Sequence, residues 1–445
     1  MQISIITVFP SFYENFLKTS LVGRAISNNL VRFNIVQFSS FCEPKERIDE
    51  PCVGPGAGVI IKPQIVEKAI TSCEKQFGKA FKIFFSPQGK VLDQNILNKI
   101  AKETTSKPSN ENDEKSQKGH IILVCARYEG MDERVETSFA DEIISIGDYV
   151  LMGGDLPAQV FLEGFLRLIP GIVGKAESVE KESFEGPFLD YSNFGLPETW
   201  NNQDIPAVLR SGNHGEIEKW RSENATQKTI LKRFDWLRKN VKKEEDMALV
   251  SKFIPSHYVA LMHSDVVVKS KGCGDTSITS IDIHDIARSA ATYGIKNYFV
   301  VSRLEDQHMI LETFLKFWKS PEGKSYNFSR YNAVSRVEPT KSLDEALQKI
   351  ETIEGKKPIL IATSAQSHSK VPMVDFYSQG KIWEQNRPVL IIFGTGQGLS
   401  EELLEKCDYM LGPVRGIPNY NHLSVRSAAA IVLDRWLGIN EISQQ

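Results

Sequence analysis

Short apolar runs of strand length, each followed by a turn and then a helical stretch, limit what this chain can become more than any other feature. ISIITVF, FKIFFS and HIILVCARY lie within residues 1 to about 175, and that alternation is the pattern of a parallel sheet with crossover helices. The first domain is therefore expected to be α/β. Residues 102 to 119 (KETTSKPSNENDEKSQKG) are polar and hold no aromatic side chain; they cannot bury enough surface to order themselves and predict a surface insertion between two strands. From 206 to 250 the strand-like runs stop, and Ile230, Phe234, Leu237 and Val241 fall on one helical face, which predicts a small all-α domain. Residues 176–205 would join it to the first domain as a linker or lid. A second α/β series opens at His257 with HYVALMH and continues through YFVVS, PILIATS and PVLIIFGTG to a closing helix, AAAIVLDRWLG, ending near residue 440. The order is α/β, all-α, α/β, and a chain of 445 residues has length for about three domains.

Composition removes several classes. No run approaches the ~18 consecutive apolar residues of a membrane helix. The N-terminus, MQISIITVFPSF, lacks the basic region and cleavage site of a signal peptide, so a cytoplasmic protein is expected. The six cysteines are scattered without paired short spacing, which predicts free, mostly buried thiols rather than a zinc or redox site. A net charge of −3 provides no global field for a polyanion. Locally, Val208–Lys243 carries ten Lys or Arg against four Asp or Glu, beside Trp220 and Trp236. That mixture suits phosphate neutralisation and base stacking, although a solvated helix face has the same composition.

Three glycine-bearing loops follow strand-like runs in the first domain: SPQG at 86–89, ARYEG at 126–130 and IGDYVLMGGDLP at 146–157. Parallel sheets place their ligands at such loops, and glycine permits close backbone approach. Each loop alone is also what an ordinary turn would need. Taken in order, SPQGKVLDQ, ILVCARYEGMDERV, SIGDYVLMGGDLPA, RLIPGIVG and SGNHGEIEKWR resemble the bacterial tRNA (guanine-N1)-methyltransferase family over about residues 1 to 250.

The resemblance implies a SAM-dependent enzyme that methylates N1 of the guanosine just 3′ of a tRNA anticodon. It implies a deep trefoil-knot domain of the SPOUT superfamily, a homodimer, and S-adenosylmethionine bent among the knot loops. By motif position the cofactor would be surrounded by Phe85, Ser86, Pro87, Gln88, Gly89, Ala126, Ile146, Gly147, Asp148, Tyr149, Val150, Leu151, Gly153, Gly154 and Pro157. Ala126 stands where the family usually has Gly. The chemistry needs a base for the N1 proton and a donor for charge developing on O6. Arg167 in RLIPG is the implied donor and Glu182 in EKESF the implied base, where the family usually has Asp; Glu180 is a less favoured substitute. Glu129 and Arg127 would contact guanine and RNA. Asp49, in the IDEPCVGPGAG loop, would lie near the target nucleotide, with departures at Val53, Pro55 and Ala57. Lys219 and Arg221 would grip the tRNA from the helical domain. The family is associated with Mg2+ dependence, while no metal-ligand set is legible in the sequence.

From His257 onward the chain resembles a second SPOUT-type RNA methyltransferase domain, spanning 257–440. DIHDIARSAATYGIKNYFVV places Arg288 toward RNA or the target nucleoside, and FGTGQGL, with Gly394, Gly396 and Gly398, looks like a cofactor loop. NHLSVRSAAAIVL looks like the final knot helix, and Ser424 replaces the Asn of ribose-methylating relatives. The competing expectation, motivated by Glu182 and the altered glycine loop, is a SAM- or RNA-binding protein without catalysis.

Overall fold

The computed structural model describes residues 1–54, 58–105, 119–174, 182–268, 272–366 and 370–439. The polar insertion therefore lies largely outside the described residues, as do Pro55, Gly56, Ala57 and Glu180; residues 102–105 belong to a helix rather than to the insertion. The chain divides into two compact units, Met1–Glu185 and Gly186–Gln445.

In the first unit the strands are β1 (Gln2–Thr7), β2 (Arg32–Gln37), β3 (Asp49–Pro51), β4 (Val59–Ile61), β5 (Phe81–Val91), β6 (His120–Val124) and β7 (Glu142–Ser145). The helices are α1 (Glu14–Lys18), α2 (Ser20–Ser27), α3 (Pro63–Phe77), α4 (Gln94–Thr105), α5 (Glu133–Phe139) and α6 (Asp155–Leu166). Five strands form a parallel sheet in the order β2-β1-β6-β5-β7, and β3 and β4 form a separate antiparallel ribbon. Every residue of β6 is buried, as expected of a strand covered on both faces. Ile3 and Ile5 pack with Phe161 and Phe165 of α6 on one side, while Ile6, Phe84 and Ile122 pack with Ile65 and Ile70 of α3 on the other. Helix α3 begins with Pro63 in its first turn and ends at Gly78, whose φ of 86° suits glycine.

The second unit opens with the ribbon β8 (Thr199–Trp200) and β9 (Gln203–Asp204), then α7 (His214–Lys232), α8 (Phe234–Asn240) and α9 (Glu244–Ser251). Its sheet strands are β10 (His257–Met262), β13 (Tyr298–Val301), β14 (Val337–Thr340), β15 (Ile359–Thr363), β16 (Met373–Val374), β17 (Val389–Gly394) and β18 (Tyr409–Leu411), with β11 (Val266–Val268) and β12 (Gly272–Gly274) as a ribbon. The helices are α10 (Ser280–Thr292), α11 (Glu305–Trp318), α12 (Pro321–Tyr326), α13 (Phe328–Val334), α14 (Leu343–Glu354), α15 (Gln379–Trp383), α16 (Glu401–Glu405) and α17 (Val425–Leu437). The sheet order is β14-β13-β10-β17-β15-β18-β16. Without its two edge strands it repeats the first sheet: numbered by appearance, both read 2-1-4-3-5.

The helical stretch expected to form its own domain shares the core of this second unit. Ile230, Phe234, Leu237 and Val241 lie in one cluster with Val259, Trp383 and Trp436. Phe234 meets Trp383 edge to face at 4.9 Å. The buried guanidinium of Arg238 donates to the Asp434 and Arg435 carbonyls at 2.8 and 2.9 Å, satisfying the C-terminal end of α17, where a cation is favoured.

Candidate active sites

The loop after the first half of β5 is a looped-out segment within one strand: Phe85 and Lys90 both align with Ile144 of β7, and Ser86–Gly89 bulge between them. A Cβ on Gly89 would stand 2.6 Å from the Ile143 carbonyl, so the bulge closes on β7 only with glycine. The loops after β6 and β7 are tied together. Gly154 N–H donates to the Ala126 carbonyl at 2.8 Å, Arg127 bridges Gly153, and a Cβ on Gly153 would lie 2.4 Å from Cδ of Arg127. Ala126 itself is buried among Ile6, Phe84 and Val124, which accommodates the methyl that replaces the usual glycine hydrogen. Tyr149 N–H donates to the Gly147 carbonyl at 2.9 Å and its ring crosses Gly147, folding Ile146–Leu151 back on itself. Pro157 is buried in the first turn of α6, whereas Asp148, Tyr149, Val150 and Leu151 are exposed. The resulting cradle, where backbone comes too close for side chains, fits a cofactor bound through backbone groups.

Asp155, which sequence reasoning passed over, joins these loops. Fully buried at the start of α6, it accepts from Thr7 Oγ1 at 2.5 Å, Tyr13 Oη at 3.2 Å and Arg127 Nε at 2.9 Å. Burial, with the neighbouring Cys125 and Asp155, pushes the Tyr13 hydroxyl far above its ordinary value. Arg127 lies under the rings of Phe9 and Phe12 at 5.0 and 4.9 Å. Its guanidinium is committed to Asp155, so the RNA contact expected of it does not suit this placement. A carboxylate spaced two residues before Pro157 was the available signal, but nothing local in sequence shows that Thr7, Tyr13 and Arg127 converge on it.

Arg167 and Glu182 are brought together as an ion pair at the C-terminal end of α6, both half-exposed. They lie at the opposite end of that helix from Gly154. Twelve residues at 1.5 Å rise separate the two ends by about 18 Å. Glu129 is exposed, and its side chain occupies the space that a Cβ on Gly58 would need. Asp49 sits in the β3–β4 ribbon and accepts from Arg47 at 2.7 and 3.1 Å, a pairing that lowers its pKa. Of the basic helical stretch, Arg221 stacks over Tyr191 at 4.6 Å and pairs with Glu218, Lys232 pairs with Glu384, and Arg238 is internal. Lys219, Lys239, Lys242 and Lys243 remain exposed outside these pairs.

In the second unit, a cavity of about 960 Å³ opens at the carboxyl ends of β10, β17, β15 and β18. Gly394–Leu399 lines it, and glycine is required there: a Cβ on Gly394 would lie 2.7 Å from the Leu399 nitrogen, and one on Gly396 2.8 Å from the Val267 carbonyl. Ser424, also in the lining, caps α17 by accepting from Ser427 N–H at 3.4 Å. Arg288 is exposed on α10, outside the lining. Arg426 takes a place there instead, 3.3 Å from the mostly buried Asp282. Among the described residues no group of three or more His, Cys, Asp or Glu side chains could hold a metal ion. No helix of the described residues is long and apolar enough to cross a membrane.

Residues 1–239 match the family model described as tRNA (Guanine-1)-methyltransferase TrmD, and residues 256–438 match that of a SAM-dependent RNA methyltransferase. Over 444 residues the chain is 35% identical to a tRNA (guanine-N(1)-)-methyltransferase of Nitratidesulfovibrio vulgaris, covering 98% of this chain and 99% of the relative. A relative of the same description from Oleidesulfovibrio alaskensis is 34% identical at the same coverage. One from Dictyoglomus turgidum is 36% identical over 251 residues, which is 56% of this chain but 95% of that protein.

Proposed function

The chain belongs to the tRNA (guanine-1)-methyltransferase family, and on that premise we propose that its first unit methylates N1 of the guanosine immediately 3′ of a tRNA anticodon. S-adenosylmethionine supplies the electrophilic methyl when bound. The glycine cradle of Ser86–Gly89, Ala126 and Ile146–Pro157 orients it through backbone groups. Glu182 receives the N1 proton, and Arg167 donates hydrogen bonds to O6 as negative charge collects there. Glu129, at the rim beside Gly58, would contact the guanine edge, and Asp49 the flanking RNA. The observation that carries this reading is the Arg167–Glu182 pair, an acid–base couple left half-exposed rather than buried in the fold.

That pair lies about a helix length from the cradle of its own chain, which supports a homodimer in which each pair works at the partner's cradle. Exposed Phe9, Phe12, Tyr149, Val150, Met152, Leu156 and Val160 are the apolar surface such a dimer would cover. The strand order, and the return of the Gly153–Gly154 segment over Ala126, support a knotted path. Lys219, with Lys239, Lys242 and Lys243, would meet tRNA phosphates. The second unit would be a SAM-dependent RNA methyltransferase holding its cofactor against Gly394–Leu399. The test is transfer from methyl-labelled S-adenosylmethionine to tRNAs carrying G or A after the anticodon. Label appearing as 1-methylguanosine only with the G substrate is expected; no transfer to either would refute the assignment.

A further inference from the structure

The cavity of the second unit has two chemically different ends. Toward β17, β15 and β18 its lining includes the Gly394–Leu399 loop together with Gln366, Asn421 and His422. Toward β10 and α10 its lining includes His263, Thr276, Ser277 and Asp282, with Arg426 beside Asp282. Four strand ends about 4.8 Å apart span roughly 14 Å. A volume near 960 Å³ lies at the upper limit of small-molecule sites, which run to about 1,000 Å³. The space suits two reactants better than one.

A chain of hydroxyls fixes the state of His263. Thr395 Oγ1 donates to the Met262 carbonyl at 2.8 Å. With the Thr395 proton on that carbonyl, Thr276 Oγ1 can donate to Thr395 Oγ1 at 2.5 Å or to the His263 carbonyl at 3.4 Å, and in either case it accepts from Nδ1–H of His263 at 3.1 Å. In that arrangement the proton is on Nδ1 and Nε2 keeps its lone pair. His263 is 1% exposed, and that Nε2 has no hydrogen-bond partner. His263 is among the residues lining the cavity and its Nε2 is enclosed; a buried acceptor without a donor costs about 1–3 kcal/mol, a cost that a donor entering from the cavity would remove. Burial draws the His263 pKa down to about 4, against smaller upward effects of Asp282 and the Ser277 backbone; the imidazole is neutral and able to accept.

We propose that the β10–α10 end of this cavity is the methyl-acceptor subsite of the second unit, and that it takes a nucleobase offering an N–H beside a carbonyl, as guanine and uracil do. The proposal rests on reading this unit as a SAM-dependent RNA methyltransferase. His263 Nε2 accepts the N–H, and Arg426, held by Asp282 at 3.3 Å, donates to the adjacent carbonyl oxygen. During transfer His263 Nε2 takes the proton, the ring nitrogen forms its bond to the methyl carbon, and the pair of the broken C–S bond stays on sulfur, neutralising the sulfonium. The imidazolium so formed is compensated by the Asp282 carboxylate. Ser424, occupied in capping α17, has no part in the step. The chemistry parallels Glu182 and Arg167 with different residues.

The test uses the full chain with its first site silenced by Arg167→Ala, methyl-labelled S-adenosylmethionine, and unmodified transcribed ribosomal RNA and tRNA with A after the anticodon. Label is expected in a ring-nitrogen methylated guanosine or uridine. His263→Ala should lower kcat by about 100-fold or more, while equilibrium dialysis still finds two cofactors per chain; His263→Gln, which keeps a polar group near Nε2, should recover part of the rate. Label in 2′-O-methylribose or an exocyclic amine, loss of one bound cofactor in His263→Ala, or no label with both cofactors bound would overturn the proposal. A single cofactor per chain in the parent protein would instead overturn the reading of the second unit as a methyltransferase.

Discussion

The two sheets share one strand order but deploy their polar groups in opposite ways. In the first unit the buried carboxylate, Asp155, is saturated by Thr7, Tyr13 and Arg127, while the pair proposed to be reactive, Arg167 and Glu182, stands half-exposed at the far end of α6. In the second unit the side chains proposed to react line one cavity, and the His263 Nε2 there has no hydrogen-bond partner. Under the proposed roles the same topology would support a distributed site, completed by a partner chain, and a second site completed within one chain. What separates them is where α6 and α17 carry their charged residues: Arg167 at the end of one helix, Arg426 at the start of the other.

The sharpest way to break this contrast is complementation. Arg167→Ala alone should lower first-unit kcat by about 10³, or roughly 4 kcal/mol of transition-state stabilisation, with cofactor binding retained. Co-expressed with a Gly89→Ala chain, whose cradle is obstructed at Ile143, it should recover about a quarter of wild-type activity through mixed dimers. No recovery from a mixture shown to contain mixed dimers would mean that one chain completes the site. The enclosed second site should show no such rescue between His263→Ala and Gly394→Ala chains.

Next in size is the buried carboxylate. Asp155→Asn keeps the shape but leaves Arg127 without its counter-charge inside the fold, which should cost about 3 kcal/mol, read as a shift in denaturant midpoint for the first unit's transition. A shift below about 1 kcal/mol would show that Phe9 and Phe12 hold the guanidinium without it.

The outline of both α/β units was legible because buried parallel strands must be continuously apolar, as HIILV and VLIIFG are. The glycine loops were legible because close approach excludes every other residue. Three features were not. The helical stretch has an apolar face, but sequence cannot say whose core receives it; Trp383 and Trp436, more than 140 residues downstream of Phe234, decide that. Asp155 looks like an ordinary first-turn carboxylate until Thr7 and Tyr13 arrive from β1 and the turn after it. His263 is a single histidine at a strand end, and only the packing around it shows that its Nε2 lacks a partner.

Histidines also allow the second unit to be tested against itself. His257, buried at the other end of β10, is saturated where His263 is not. Its Nδ1 donates to the Pro255 carbonyl at 2.6 Å, and the Trp436 indole N–H donates to its Nε2 at 3.0 Å. Burial draws its pKa from 6.5 down to about 4, with the Pro255 bond opposing. Because the folded state holds the proton less tightly, the stabilisation is complete above pH ~6.5, declines as pH falls and is gone below about 4. The total is about 3 kcal/mol. His257→Gln should flatten that part of the stability profile, whereas a profile unchanged from the parent would show that His257 is solvated.

The smallest expected effect concerns Glu182. Its carboxylate reaches Arg167 across the end of α6, so the extra methylene relative to Asp is already taken up by the local geometry. Glu182→Asp withdraws the carboxylate by about 1.5 Å, the length of one C–C bond, and loosens both the ion pair and its reach to the guanine N1 proton. Misplacements on this scale are costly in proton transfer, up to about 100-fold. The carboxylate is half-exposed, however, and residues 182–185 form no helix or strand, so part of the distance should be recovered by local adjustment. The expected outcome is a fall of about tenfold in kcat with KM for tRNA unchanged. A rise in kcat would mean that Glu is a weakened substitute and that the site was shaped for the shorter acid. A fall as large as that of Arg167→Ala would mean that the carboxylate position tolerates no displacement, and that the first site is as tightly preorganised as the second one.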